Sequence, residues 1–354
     1  MRVWSLELPN EVCQVEIDLH MQAQMQAQRQ AQMQDQVRAQ VKAQAQLRVQ
    51  VSGVGLLGPG LIDWPSAQPL LRDPARWISA ATVVPAPQRL PATERRRAGT
   101  VVKASIVVAD EALQGSGIDP AELATVFTSS TGDPLNCHLL CEALAQPQRT
   151  MSPTRFTNSV HNAPAGYWHI STQSRAASTS LAAFDASFAA GLLEAATQCA
   201  VQRQAVLLVA CDVPYPEPLH SLRPVTDVFA VALLLQPLAQ DSSALPVGMP
   251  LGFVAMPGCG QVASTVVSPV VSPVGSSAAG RILALTIAAE APAQDAAPAA
   301  LAALGALYQG IPAARALPLL QALAGDAACS LRLPAFPDMD LQLSLSARPQ
   351  HAAP

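Results

Sequence analysis

Two short runs of almost continuous apolar residues constrain the fold more than any other feature of this sequence. They are AVLLVACD at 205–212 and DVFAVALLLQP at 227–237. A strand that is covered on both faces reads as a near-continuous apolar run, because neither face meets water. The two runs therefore predict buried strands in an α/β layered sheet.

The other predicted elements alternate in the order that this class requires. In chain order they are an alternating strand within 47–60, a helix over 94–114, a strand over 125–130, a helix opened by Asp133 and Pro134, a loop and short helix within 151–170, a buried strand over 178–183 and a helix over 186–202. Asp followed by Pro is typical of an N-cap and the first helical position. Mostly buried strands separated by helices predict an α/β layered sheet.

Shifts of composition divide the chain into four predicted parts: an Ala/Gln-rich extension over 1–48, a main part over 49–238, a Ser/Pro/Val-rich linker over 239–280 and a smaller part over 281–354. In the extension Gln takes every even position from 22 to 36, and no apolar stripe is present. A frayed helix and disorder both fit such a repeat. A repeat expansion or an early start codon is favoured over a functional coiled coil. In the last part, RILALTI restarts the structure, followed by helices near 298–309 and 312–324 and strands CSLRL and DLQLSLS.

Bulk composition argues against several classes of function. The net charge is -4, 13% of residues are charged and aromatic residues are scarce, so the chain offers neither a broad basic face nor a stacking platform for nucleic acid. The sequence contains no uninterrupted apolar stretch of about 18 residues, so no membrane span is predicted. The start of the chain lacks the features of a signal peptide. Seven loosely spaced cysteines do not form a disulfide framework, so we expect a reducing, cytoplasmic setting.

Weak motifs do not add a cofactor or a metal to this picture. Gly53, Gly55 and Gly58 match a dinucleotide pattern, but Pro59 follows instead of a helix. Cys137 and Cys141, with His138 between them, lack further ligands at zinc spacing and are interpreted as ordinary thiols. The arginines of ERRR at 94–97 are interpreted as a solvated helix start, with docking of an acidic carrier protein as the alternative.

The stretch STSLAAFDASFAAGLLEAA, residues 178–196, places one acid, Asp185, where the predicted strand gives way to a helix. Backbone N–H groups at a helix start stabilise a carboxylate, and a cap contributes about 0.5–2 kcal/mol. The simplest interpretation is that Asp185 is an N-cap. The functional alternative is that it orders a pocket without reacting.

Residues 151–196, SPTRFTNSVHNAPAGYWHI followed by SRAASTSLAAFDASFAAGLLEAA, resemble the β-ketoacyl synthases of fatty-acid and polyketide synthesis. The ordered series includes Asn162, Ala165 and Gly166 of a short Asn-x-x-Ala-Gly helix, and VSGVGLLGP and AVLLVACD extend the resemblance over about 49–238. It implies a thiolase-like layered α/β fold with a well represented N-terminal ketosynthase half and a reduced C-terminal half.

The departures from the family pattern imply a chain without condensing activity of its own. Asp185 stands at the position of the nucleophilic Cys, and a carboxylate is a poor acyl acceptor. The two His and the Lys that a working synthase needs are absent between residues 221 and 350. His161 and His169 are interpreted as packing or surface residues. We therefore expect no catalytic residue, cofactor or metal ligand in this chain.

The same departures make the chain similar to chain length factors, including the small ones of aryl polyene pathways. In the chain length factors of other polyketide systems the elbow residue is often Gln, and Asp185 departs from that pattern. This resemblance implies a heterodimer with an active ketosynthase, and an acyl carrier protein that docks nearby. The expected interface strand is 178–183, with Ser178, Ser180 and Ala182 as candidate contacts. Two alternatives stay open: an acyltransferase or decarboxylase that uses Asp185 or Cys211, and a lone acyl-binding scaffold.

Overall fold

The computed structural model describes residues 46–238, 280–288, 299–336 and 339–348. The predicted extension over 1–48 lies outside the described residues except at its last positions, where Leu47 already begins the first strand. The linker predicted over 239–280 lies outside them as well, apart from Gly280. The division of the chain into four parts therefore stays a prediction.

Eight described strands form one mixed sheet with the order β3-β2-β4-β5-β1-β6-β8-β7. The strands are β1 Leu47–Leu57, β2 Ala124–Thr128, β3 Ser178–Leu181, β4 Val206–Asp212, β5 Phe229–Pro237, β6 Arg281–Ala288, β7 Cys329–Phe336 and β8 Met339–Leu345. Strand β2 is parallel to both β3 and β4, and the remaining pairs are antiparallel. The predicted α/β layered fold is thus confirmed.

The described helices connect and cover these strands. They are α1 Trp64–Arg72, α2 Ala92–Arg97, α3 Thr100–Leu113, α4 Pro134–Ala145, α5 Pro153–Asn158, α6 Ala163–Thr172, α7 Ser187–Gln202, α8 Leu219–Leu222, α9 Gly305–Gly310 and α10 Leu317–Ala324. Short 3-10 turns cover Pro74–Arg76, Phe184–Ala186, Ala299–Leu304 and Pro312–Ala316. Within the part of the chain that the structure describes, no helix has the length and apolar character that crossing a membrane requires.

Two apolar layers enclose the sheet. Every residue of β4 and the first seven residues of β5 are buried, as predicted from their sequences. Helices α3 and α6 belong to the cluster on one face, which includes Trp168, and helices α7 and α10 belong to the other, which includes Phe188. Burial of one such large side chain contributes about 1.5–3 kcal/mol, so the strand sequences themselves favour the layered arrangement.

The sheet runs without interruption from the N-terminal strands to the C-terminal ones. Strand β1 pairs with β5 over Val49–Leu57 and with β6 over Leu47–Val51. Helix α7 packs against β4 and also against β7. The strands on both sides of 239–280 therefore share one sheet and one core.

The predicted helix over 94–114 is two helices, α2 and α3, that meet at Ala98 and Gly99. A Cβ atom at Gly99 would lie 2.3 Å from Asp133 Oδ2, so a larger residue here would require the Asp133 carboxylate to move. Asp133 itself accepts a hydrogen bond from the Asn136 N–H at 3.0 Å and caps α4, as predicted.

Candidate functional site

The candidate site lies at the edge of the sheet where the parallel strands end. Strands β3, β2 and β4 run in the same direction, so their carboxyl ends share one edge. The turn Phe184–Ala186 leads from β3 into α7 at this edge, and Asp212 ends β4 there. Asp185 therefore occupies a strand-to-helix elbow, as the sequence predicted.

The backbone of the elbow is strained at Phe184, whose φ is +53°. The left-handed region costs a residue with a side chain roughly 1–2 kcal/mol. Ser187 fixes the turn, because its Oγ donates to the Phe184 carbonyl at 2.7 Å and accepts from the Ala183 N–H at 3.0 Å. The strain leaves the Phe184 ring 62% exposed at the mouth of the site.

The N-cap interpretation of Asp185 is wrong. The N-cap of α7 is Ala186, and no side chain caps this helix. The Asp185 carboxylate instead accepts a hydrogen bond from Arg223 Nη2 in an ion pair. A guanidinium offers a full charge and a planar pair of donors, which satisfies the carboxylate better than one N–H at a helix start.

Arg223 is the functional residue that the sequence analysis missed. Its Nη1 donates to the Tyr215 hydroxyl at 3.0 Å, and its guanidinium lies 3.6 Å from the centroid of the Phe184 ring. The Arg223 side chain is 22% exposed and that of Asp185 is 47% exposed. Arg223 lies on a loop 38 residues after Asp185, so no periodicity or motif connects the two.

A buried hydrogen-bond network supports Tyr215 from behind. The Tyr215 and Ser130 hydroxyls share a hydrogen bond of 3.2 Å, and Ser130 Oγ donates to Asp212 Oδ1 at 2.8 Å. Asp212 also accepts from the Ser130 N–H at 2.8 Å and from Ser129 Oγ at 3.0 Å. Burial raises the pKa of the Asp212 carboxyl, although these hydrogen bonds lower it in part.

Two of the described thiols, Cys199 and Cys211, are shielded from solvent. Cys199 is buried within α7, and burial raises its pKa to about 12. Cys211 is buried in β4, and burial raises its pKa even further from the ordinary range of a thiol. A thiol with a raised pKa carries little thiolate near neutral pH, so neither is an activated nucleophile.

The sequence motifs that suggested a cofactor or a metal have structural explanations. Gly53 and Gly55 lie in β1 against α3, where added Cβ atoms would come within 1.9 Å of the carbonyl oxygens of Ala112 and Val108. His138 contacts Glu142 at 3.3 Å on α4. Among the described residues, no group of three or more His, Cys, Asp or Glu side chains is placed to hold a metal ion.

The predicted interface strand, β3, is an edge strand of the sheet that the described residues form, and its outer edge is free among them. Ser178 and Ala182 are exposed and Ser180 is half-buried, so the predicted burial of this strand is wrong for the single chain. The Ala177 carbonyl accepts from Thr125 and the Leu181 carbonyl accepts from Ser129, both in or beyond β2. Because backbone groups alternate along a strand, those of Ser178 and Ser180 face away from β2.

A concavity of about 410 Å³ adjoins the free edge of β3. It is lined by Asn162, Ala165, Gly166, His169, Ser178 and Ser180. The residues of the Asn-x-x-Ala-Gly helix and two of the three candidate interface residues therefore share one surface. His169 lies in this surface, and its buried Nε2 has no hydrogen-bond partner among the described residues.

A second cleft, of about 690 Å³, is lined by Arg96, Arg97 and Arg155 together with Gly99 and Thr100 at the start of α3. All three arginines are exposed. Asp133 also lines the cleft and is a negative group within it. The arginines that the sequence predicted at a helix start instead form the last turn of α2, and Arg96 and Arg97 line this cleft.

Comparison with known proteins places these features in a family. The family model described as beta-ketoacyl synthase, N-terminal domain, matches residues 69–249. The sequence matches none of the curated proteins with which it was compared.

Three solved structures share the fold. A chain of the ketosynthase ApeO in complex with its chain length factor ApeC from Xenorhabdus doucetiae is 21% identical, with a TM-score of 0.57, covering 84% of this chain and 99% of that one. The AntDE:AntF complex, a type II polyketide synthase acyl carrier protein with its ketosynthase bound to the hexaketide, is 14% identical, with a TM-score of 0.57 and coverages of 85% and 99%. The ishigamide ketosynthase/chain length factor is 12% identical, with a TM-score of 0.56 and the same coverages of 85% and 99%.

Proposed function

The chain belongs to the β-ketoacyl synthase family, and from this premise we propose that it is a non-catalytic, chain-length-factor-like subunit. In this proposal it pairs with an active ketosynthase in fatty-acid or polyketide synthesis of the aryl polyene type. An acyl carrier protein delivers the substrate to the pair.

The observation that carries the proposal is the chemistry of the elbow. A condensing enzyme needs a thiolate that accepts the acyl chain. Here the elbow holds Asp185, whose carboxylate is engaged by Arg223. A carboxylate in an ion pair is a still weaker nucleophile than a free one. The absence of His and Lys between residues 221 and 350 also removes the groups that the family uses on the thioester carbonyl.

The free edge of β3 supports pairing with a second chain. An unpaired strand edge is a template for strand addition, and soluble proteins usually cover or charge such an edge. Strand β3 carries no charged side chain, and its outward backbone groups belong to Ser178 and Ser180. Exposed Ile170 and Phe184 flank the strand with apolar surface. An active ketosynthase is the partner because this chain lacks a nucleophile of its own.

The structural relatives point in the same direction. Two of the three are described as a ketosynthase with a chain length factor. The third is described as an acyl carrier protein with its ketosynthase. The cleft with Arg96, Arg97 and Arg155 is the surface of this chain whose charge suits an acidic carrier protein.

The alternative of an enzyme that uses Cys211 is disfavoured by its burial and its raised pKa. No observation of this kind disfavours the alternative of a lone acyl-binding scaffold. That alternative differs from our proposal only in that the chain would bind no ketosynthase.

The proposal is tested by intact-protein mass spectrometry under denaturing conditions. The chain, co-purified with its ketosynthase, is incubated with an acyl carrier protein that bears an acyl thioester. We expect an acyl adduct on the ketosynthase and an unchanged mass for this chain, both for the native chain and for Asp185→Asn. An acyl adduct on this chain that is lost in Asp185→Asn would overturn the non-catalytic assignment.

A further inference from the structure

Arg223 is held by groups other than the carboxylate with which it pairs. Tyr215 accepts its Nη1 hydrogen bond at 3.0 Å, and Tyr215 is in turn fixed by Ser130 and the buried Asp212. This support comes from the ends of β2 and β4, which belong to the core of the sheet. The guanidinium therefore has a hydrogen-bond partner other than Asp185, and that partner is anchored to the core.

The Phe184 ring covers one face of the same guanidinium. The distance of 3.6 Å from Arg223 Cζ to the ring centroid is that of a stacked cation–π contact. Ser187 holds the elbow in the conformation that places the ring there. An arginine stacked on an aromatic ring keeps its N–H groups free in the plane, where a carboxylate binds.

Asp185 provides that carboxylate, and it does so from a partly exposed position. Nearly half of its side chain faces solvent, whereas Arg223 is 22% exposed. The carboxylate is attached to the short turn Phe184–Ala186 and not to the core. The ion pair therefore has one partner fixed by the core and one that reaches it from a surface turn.

We propose that Arg223, Tyr215 and Phe184 form a binding site for a small carboxylate, and that Asp185 fills this site as its internal ligand. The site binds carboxylate groups because the Arg223 guanidinium presents planar N–H donors. The other groups that contact the guanidinium are the Tyr215 hydroxyl and the face of the Phe184 ring. In the native chain Asp185 closes the elbow to carboxylate-bearing acyl groups. This inference goes beyond the proposed pairing and does not depend on it.

The test removes the internal ligand and supplies an external one. Asp185→Ala deletes a formate-sized group, so the variant is unfolded thermally in sodium formate and in sodium chloride of equal ionic strength. We expect formate at about 100 mM to raise its Tm by about 2 °C or more relative to chloride. The native chain, whose site is filled, is expected to show no difference between the two salts.

The double variant Asp185→Ala with Arg223→Gln is the matched control, and its Tm is expected not to respond to formate. An equal response of the double and single variants, or no response of the single variant, would overturn the proposal. Asp185→Ser, which keeps a small polar side chain on this partly exposed turn, is a second variant with the same expectation. Failure of both single variants to fold would also contradict the proposal, because the site formed by Arg223, Tyr215 and Phe184 should persist without Asp185.

Discussion

At the scale of single residues, Asp185 illustrates what a sequence conveys and what it omits. Its place at a strand-to-helix elbow follows from local pattern, because the apolar strand and the helix both lie within 178–202. Its partner does not, because Arg223 reaches it only after the chain has passed through β4 and a loop. The neighbouring sequence therefore predicts an N-cap. The ion pair with Arg223, which is 38 residues away in the sequence, replaces that interaction.

A thiol placed at this elbow should react with an alkylating reagent but should not support condensation. In Asp185→Cys the thiol would lie beside the Arg223 guanidinium, and a neighbouring cation lowers the pKa of a thiol. We expect iodoacetamide to label the introduced thiol at neutral pH at least about tenfold faster than Cys199 or Cys211, as measured by peptide mass spectrometry. We expect no condensation by this variant alone, since the chain still lacks the His and Lys groups.

The control for this labelling is the same variant with Arg223→Gln, which removes the cation and should slow the reaction. Equal labelling rates with and without Arg223 would show that the guanidinium does not influence the elbow. Condensation by Asp185→Cys alone would contradict the account of the missing helper groups.

At the scale of elements, burial decided which predictions were correct. Strands β4 and β5 are covered on both faces, so their apolar runs identify them directly. Strand β3, with the sequence STSL, consists of small residues and one Leu and lies at an edge. Its sequence does not distinguish an edge that awaits a partner from a core strand. The break between α2 and α3 lies at Ala98 and Gly99, whose extended backbone the apolar spacing over 94–114 does not indicate.

The C-terminus of α6 offers a stability test of the described backbone. Gln173 is its C-cap, is exposed and has φ +57°, a conformation that glycine adopts without steric cost. We expect Gln173→Gly to raise the free energy of unfolding by about 0.5–1 kcal/mol, measured by urea denaturation. Gln173→Ala, which keeps the steric cost of a Cβ, is the control and should not be stabilising. Destabilisation by glycine relative to alanine would contradict the left-handed assignment.

At the scale of the whole molecule, the sheet joins parts of the chain that composition separates. The pairing of β1 with β6 brings together residues more than 200 positions apart, and nothing in either strand's sequence specifies the other as its partner. The α/β class and the family resemblance were predictable, and both agree with the fold. The pairing, within one sheet, of strands that lie on both sides of 239–280 was not predictable from the sequence.

Buried carboxyls predict how the stability of the molecule varies with pH. Burial raises the pKa of Asp110, Glu111, Asp133 and Asp212 in the folded chain. Between the unfolded pKa near 4 and the raised folded pKa, the folded state holds more protons, so the free energy of unfolding falls as pH rises. We expect urea denaturation to show higher stability near pH 4, the unfolded pKa, than near pH 7. We also expect a shallower slope for Asp212→Asn, whereas stability that rises over this range would contradict the assignment.

The central claim is that this chain acts as the non-catalytic partner of an active ketosynthase, and native mass spectrometry of the two co-expressed chains tests it most directly. We predict a one-to-one complex that is lost in Ser180→Lys and in Ala182→Lys, because a lysine in β3 or directly after it places an unpaired charge in the interface. Val201→Lys, at the exposed far end of α7, is the matched control and should pair like the native chain. A native chain that stays alone, or that pairs only with itself, would contradict the account, and pairing by Ser180→Lys at native strength would contradict the interface.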